Sequence, residues 1–256
     1  MKTTKIVTSA IVLSTLGLVA APAVHAADVH TETYTSHGKV GFIENTDPTN
    51  PVDPTNPTDP VGPVDPTDPE NPNPGTNGPL SIDYVSNFDF GSKNKVSGDD
   101  ATYYAAPVKL ADKDGNAITR ANYLQVTDKR GTNAGWKLSV KQEKQFNDGT
   151  ADLNGAQLQM TTQKLNSKNI DANNPTDPVI PNATIATTPG SDVQVLNAGK
   201  GQGMGTWTDS FGEYTDGTAA DTSMKAVSLQ VPGNSAKNTD TSYKTDLTWT
   251  LTDAGM

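Results

Sequence analysis

The chain has 256 residues, of which 33% are hydrophobic and 6% aromatic, and its formal net charge is −10. It has no cysteine, which excludes disulfides, thiolate metal sites and a thiol nucleophile. Its histidines are His25, His30 and His37, so residues 80–256 lack the commonest general base and zinc ligand. The acidic balance argues against a nucleic-acid partner.

Residues 1–26 read as a secretory signal peptide, with Lys2 and Lys5 ahead of the apolar stretch Ile6 to Val19. Val24-His25-Ala26 before Ala27 resembles a small-residue cleavage site. The apolar run is short, carries Thr8, Ser9, Ser14 and Thr15, and leads into Pro22, so no membrane insertion is expected after cleavage. No cysteine follows to accept a lipid and no LPxTG tail closes the chain. The expected location is secreted, at the cell wall or extracellular surface, without a covalent or membrane anchor. Export without disulfides suits a Gram-positive surface. Residues 27–46 form an N-terminal arm, in which Thr31 to Ile43 has Val40 and Phe42 on one parity. The arm is expected to dock as the first strand of the later domain, because an isolated strand does not persist in water.

From Asp47 to Pro79, proline recurs every third residue at 48, 51, 54, 57, 60, 63, 66, 69 and 72. Three residues per turn is the period of polyproline II, which predicts an extended linker or loop reaching up to roughly 100 Å. Residues 27–79 carry nine acids against Lys39 alone, and this self-repulsion favours extension. A protease-resistant spacer is the expectation.

Residues 80–256 read as one all-β domain, a β-sandwich of short, mostly antiparallel strands. Leu80 to Tyr84 opens it and Phe88-Asp-Phe90-Gly91 follows. Pro107 to Leu110, Leu124 to Thr127, Leu158 to Thr161, Val193 to Val195 and Val227 to Val231 continue the series. Gly199 to Gly217, with Gly201, Gly203 and Gly205, is expected to be a long surface loop. At Trp136-Lys-Leu138-Ser-Val140-Lys141 and Tyr243-Lys-Thr-Asp-Leu247-Thr-Trp249-Thr-Leu251-Thr252 the apolar residues keep one parity. That alternation predicts strands with one face buried and one wet.

Asp112-Lys-Asp114-Gly115-Asn116 starts like a calcium loop, but Ala117 stands at the sixth position and Tyr123 at the twelfth, so a tight turn is expected. No metal or other cofactor is expected. No Gly-x-Ser-x-Gly, phosphate loop or dinucleotide fingerprint occurs, and no carboxylate pair is singled out by context, so the chain is not expected to be an enzyme. Parity puts the Trp136 and Trp249 indoles in the core. Trp207, in the Gly-rich stretch, is the better candidate for an exposed ring. Lys129, Arg130, Lys137 and Lys141 cluster in sequence, and Lys137 and Lys141 take the parity opposite Trp136. With Trp207 they are the candidate wall-contacting residues, a basic face able to meet phosphates or carboxylates.

Three stretches together resemble the WxL surface-domain family of low-GC Gram-positive bacteria. They are Leu124-Gln-Val-Thr-Asp128-Lys-Arg130-Gly131-Thr-Asn-Ala-Gly135-Trp136-Lys-Leu138, Leu153-Asn-Gly-Ala156 and Leu247-Thr-Trp249-Thr-Leu251-Thr-Asp253. The signal peptide, the acidic proline repeat and the Leu80 to Gly91 stretch also look like the family's short members. The resemblance implies motif residues Trp136, Leu138, Trp249 and Leu251. It further implies non-covalent attachment to the wall, with peptidoglycan or another wall glycopolymer as target. Other exported WxL proteins and membrane-anchored surface proteins are its implied partners. Two alternatives stay open: an adhesin module for a host or plant polysaccharide or protein, and a structural subunit held by a partner.

Overall fold

The computed structural model describes residues 31–63, 74–168, 177–216 and 218–254. The signal peptide and its cleavage site lie outside the described residues, as does the later part of the proline repeat, 64–73. The chain divides into two units, Met1–Val40 and Gly41–Met256. In the first, the described residues 31–40 form no strand, and Tyr34 and Val40 are exposed. The expected strand over Thr31 to Ile43 is therefore not formed, and among the described residues no strand pairs with it.

In the second unit the described strands begin with β1 (Val52–Asp53), β2 (Asn56–Pro60), β3 (Gly62–Pro63), β4 (Leu80–Val85) and β5 (Ala101–Tyr104). They continue with β6 (Val108–Ala111), β7 (Ala117–Arg120), β8 (Tyr123–Asp128), β9 (Trp136–Gln142), β10 (Gln157–Thr161) and β11 (Gln163–Asn166). Then come β12 (Thr184–Ala186), β13 (Asp192–Ala198) and β14 (Gly205–Phe211), the single helical turn α1 (Ser223–Ala226), β15 (Val227–Val231) and β16 (Leu247–Asp253). Every described pairing is antiparallel, so the chain is all-β with almost no helix.

Three sheets share the main core, in the orders β12-β10-β15-β5, β11-β14-β8-β4 and β13-β9-β16. Each sends its apolar parity inward: Leu158, Met160 and Leu229 from the first, Leu124, Val126 and Trp207 from the second, Trp136, Leu138 and Val140 from the third. The Phe88 to Gly91 stretch is not a strand. Its rings cap the core instead, Phe88 edge-on to Phe211 at 6.2 Å and Phe90 edge-on to Phe146 at 6.3 Å.

Strand β8 is buried at all six positions. The proline repeat covers the face that carries Gln125. Gln125 accepts a hydrogen bond from the Val52 N–H at 2.7 Å and donates to the Asn50 carbonyl at 3.1 Å and to Asp83 at 2.8 Å. Arg120 grips Asp53 through two nitrogens, at 2.8 and 2.5 Å. Burial pushes the Asp53 carboxyl up, but the Arg120 and Thr55 hydrogen bonds outweigh it and hold the acid below its ordinary range. β3 pairs with β6, and Val61 joins a second core of Tyr84, Val108, Leu110 and Tyr123. Lys129 gathers the two ends: its ammonium donates to the Asp47 carbonyl and its N–H to the Pro79 carbonyl at 2.5 Å. The first part of the repeat is thus a strap folded onto the sheet, in contrast to the expected free spacer.

The strap's dependence on one side chain sets a measurable cost. Gln125→Ala strands the Val52 N–H and removes a donor from Asp83, and is expected to destabilise by about 2–4 kcal/mol. Urea unfolding gives the loss, and limited proteolysis detects earlier cutting between residues 47 and 63.

Candidate functional site

The two Trp-x-Leu strands are neighbours. β9 lies between β13 and β16, with Leu138 opposite Leu251, Val140 opposite Trp249 and Trp136 opposite Asp253. The motifs run antiparallel about the leucine pair and carry their indoles towards opposite ends. Trp136 is fully buried, and its indole N–H donates to the Gly203 carbonyl at 3.0 Å. Gly203 has φ +77°, and a Cβ there would stand 2.5 Å from that indole nitrogen, so glycine is required by both space and conformation. Trp249 keeps the same inward parity but is only half-buried, because β16 is an edge strand.

Trp207 corrects the expectation of an exposed ring. Gly205–Phe211 is an inner strand of its sheet, paired with β8 and β11, and the indole is 1% exposed. Its N–H donates to the Met204 carbonyl at 3.1 Å. The glycines before it make the tight path that brings Gly203 over Trp136, and the surface loop expected across Gly199 to Gly217 is confined to the ends of this strand. Trp207 therefore offers no ring to a wall polymer.

The basic residues separate into different roles. Arg130 is a latch: it holds Asp128 at 2.8 Å, donates to the Gly135 carbonyl at 2.8 Å and lies 2.7 Å from Asp253. The Asp128 carboxylate beside it pushes the guanidinium pKa above its ordinary value. Arg130 thus ties the end of β8 to the start of β9 and the end of β16, and it is committed inside the fold. Lys129 is committed to the strap. Lys141 pairs with Glu143 at 3.0 Å, which raises its pKa, and Thr248 donates to the same carboxylate at 2.5 Å. Lys137 is exposed on the outer face of β9, between Asn197 and Thr252.

Asp209, on β14 two residues after Trp207, is fully buried and its carboxyl is pushed up to about 7 by burial, against hydrogen bonds from Gln163 and the Lys164 backbone. Asp112 accepts from the N–H groups of Asp114 and Asn116 at 2.9 and 2.8 Å and closes the β6–β7 turn, the tight turn read from the sequence. Among the described residues no group of three or more His, Asp or Glu could hold a metal ion, and no helix is long and apolar enough to cross a membrane.

Fold and site together define an antiparallel all-β domain whose twin motifs are packed inward as a strand pair. The family model for the WxL domain surface cell wall-binding family matches residues 29–254, and the chain belongs to that family. It is a cell wall-binding protein, attached non-covalently, and its place is the cell surface. No curated protein and no solved structure matches the chain.

Three measurements follow from this geometry. In variants keeping one tryptophan each, acrylamide is expected to quench Trp249 partly and to spare Trp136 and Trp207. Trp136→Ala is expected to cost about 3–5 kcal/mol and the half-buried Trp249→Ala less, measured by chemical unfolding. For Asp209 the folded pKa exceeds the unfolded one, so stability is lost as pH rises from about 4 towards about 7 and levels off above. Asp209→Asn is expected to remove up to about 1.4 kcal/mol of slope per pH unit in that window, seen by comparing melting curves with the parent chain.

Proposed function

We propose that the protein is exported, loses residues 1–26 and attaches non-covalently to peptidoglycan as a catalytically inert surface or scaffold component. Residues 80–256 form its wall-binding body, built as a β-sandwich, and residues 27–46 form an N-terminal arm. Other exported WxL proteins and membrane-anchored surface proteins are its natural partners. One observation carries the proposal: the family match spans the strap, both Trp-x-Leu strands and the sheets between them. Wall binding is therefore a property of the whole body.

The inward packing of Trp136 and Leu138, with Trp249 and Leu251 packed against the same core, supports a motif that holds the body together, leaving contact with the wall to polar surfaces. Of the basic candidates, Lys137 has the freest position, and Lys141 beside it spends its charge on Glu143. Lys137 adds an electrostatic contribution towards an anionic wall, one that salt weakens.

Sedimentation with purified sacculi, freed of protein and teichoic acid, tests the proposal. The mature chain is expected to pellet with them. Retention only when a partner protein is added would replace attachment with the partner-held subunit. Lys137→Glu is expected to lower retention a few-fold at low salt and to leave it unchanged at about 0.5 M, where the Debye length is only a few ångströms.

A further inference from the structure

The four-stranded sheet β12-β10-β15-β5 turns its apolar parity to the core and leaves a polar face outside. The register aligns that face in rows. Gln157, Gln230 and Thr102 lie opposite one another across three strands, as do Gln159, the buried Ser228 and Tyr104. Three amides are wired in one direction: Gln230 donates to Gln159 at 3.1 Å, and Gln159 donates to Gln157 at 3.0 Å. Such a chain ends with a carbonyl oxygen on Gln230 and an amide NH2 on Gln157, one acceptor and one donor available to a ligand. Tyr104, on the edge strand, is 44% exposed. Past the first row the face runs into a groove of about 460 Å³ lined by Asp100, Gln145, Thr188, Pro189 and Pro232 among others.

The chemistry selects the ligand. The two rows carry no charged side chain, and the groove adds only Asp100, whose carboxylate already accepts from the Gly233 N–H at 2.8 Å. A face without a cation has nothing to neutralise phosphate, so a teichoic acid is a poor fit. Amides and hydroxyls that both donate and accept match the hydroxyl and acetamido groups of a neutral sugar. The Tyr104 ring and the two proline rings offer apolar surface to the C–H face of a pyranose. A flat, open face suits a long polymer crossing several strands better than an enclosed small molecule.

We infer that this outer face, with the groove at its end, binds the N-acetylated glycan strands of peptidoglycan. The inference rests on the wall attachment proposed above and names the surface and the part of the polymer that carry it. The face lies on a different sheet from Lys137, so the two contributions separate by mutation.

The test uses the full mature chain with two ligands: intact sacculi, and glycan strands from which an amidase has removed the stem peptides. Tyr104→Ala and the double variant Gln157→Ala/Gln230→Ala are compared with Tyr104→Phe, each checked by thermal melting for an unchanged fold. The parent is expected to bind both ligands. Tyr104→Ala and the double variant are expected to bind both about tenfold more weakly, an effect of about 1.4 kcal/mol, while Tyr104→Phe stays near the parent. If the parent binds both and the folded variants bind equally well, the inference is overturned while wall attachment stands. If the parent binds intact sacculi but not the stripped strands, stem peptides are the ligand and the inference again falls alone. If the parent binds neither, the proposed attachment falls with it.

Discussion

The structure depends on the burial of a polar side chain. Gln125 sits at the middle of β8 with no exposure at all, and β8, like β4, gives residues to both cores. On one side Leu124 and Val126 enter the main core, and on the other Tyr123 stacks on Tyr84 at 4.6 Å in the second. A buried amide is costly unless satisfied, and Gln125 is satisfied by a strand neighbour and by the proline strap together. Strap and sheet thus need each other: the sheet supplies partners for Val52 and Asn50, and the strap keeps water from the Gln125 side of β8. A proline-rich segment is suited to this covering role because prolines bring no N–H to satisfy, so few donors have to be matched along its path.

Much of the architecture was legible, and the failures have a common cause. Parity located β4, β6, β8, β9, β10, β13, β15 and β16 and sent Trp136 and Leu138 inward, because a strand half in water imprints a period of two on its residues. The rule gave no sign that Gln125 is buried, because its face is covered by a distant segment rather than by water. It missed β14 because Gly-Thr-Trp-Thr-Asp-Ser-Phe is an inner strand with buried polar residues, and Asp209 and Thr208 obscure its apolar parity. Arg130 reads in sequence as one of a run of cations. Only the long-range approach of Asp253, added to the local Gly135 carbonyl, makes it a latch.

The candidate site was less legible than the fold. The Gln-Leu-Gln-Met run of β10 is visible as alternation, but its glutamines become a surface only when β15 and β5 bring Gln230, Thr102 and Tyr104 beside them. Cross-strand register is a tertiary property, and no local pattern encodes which strand lies next. A cluster of lysines is conspicuous along a chain, whereas a neutral face assembled from three separate strands leaves no mark in composition.

These observations assign different work to the motif and to the surface. Leu138 and Leu251 are paired across β9 and β16, and Arg130 clamps the end of that pair through Asp253. Strand β16 is thereby held to the body by two apolar pairs, Leu138–Leu251 and Val140–Trp249, by its ladder, by the Thr248–Glu143 hydrogen bond and by the Arg130–Asp253 ion pair. Losing a motif residue would loosen β16 and with it the sheet that walls one side of the core. The motif can thus be indispensable to binding without touching a ligand, since a contact surface on sheet faces is only as rigid as the core beneath it. The inner rows are fixed by packing, whereas the outer rows of the same strands are not constrained by the core.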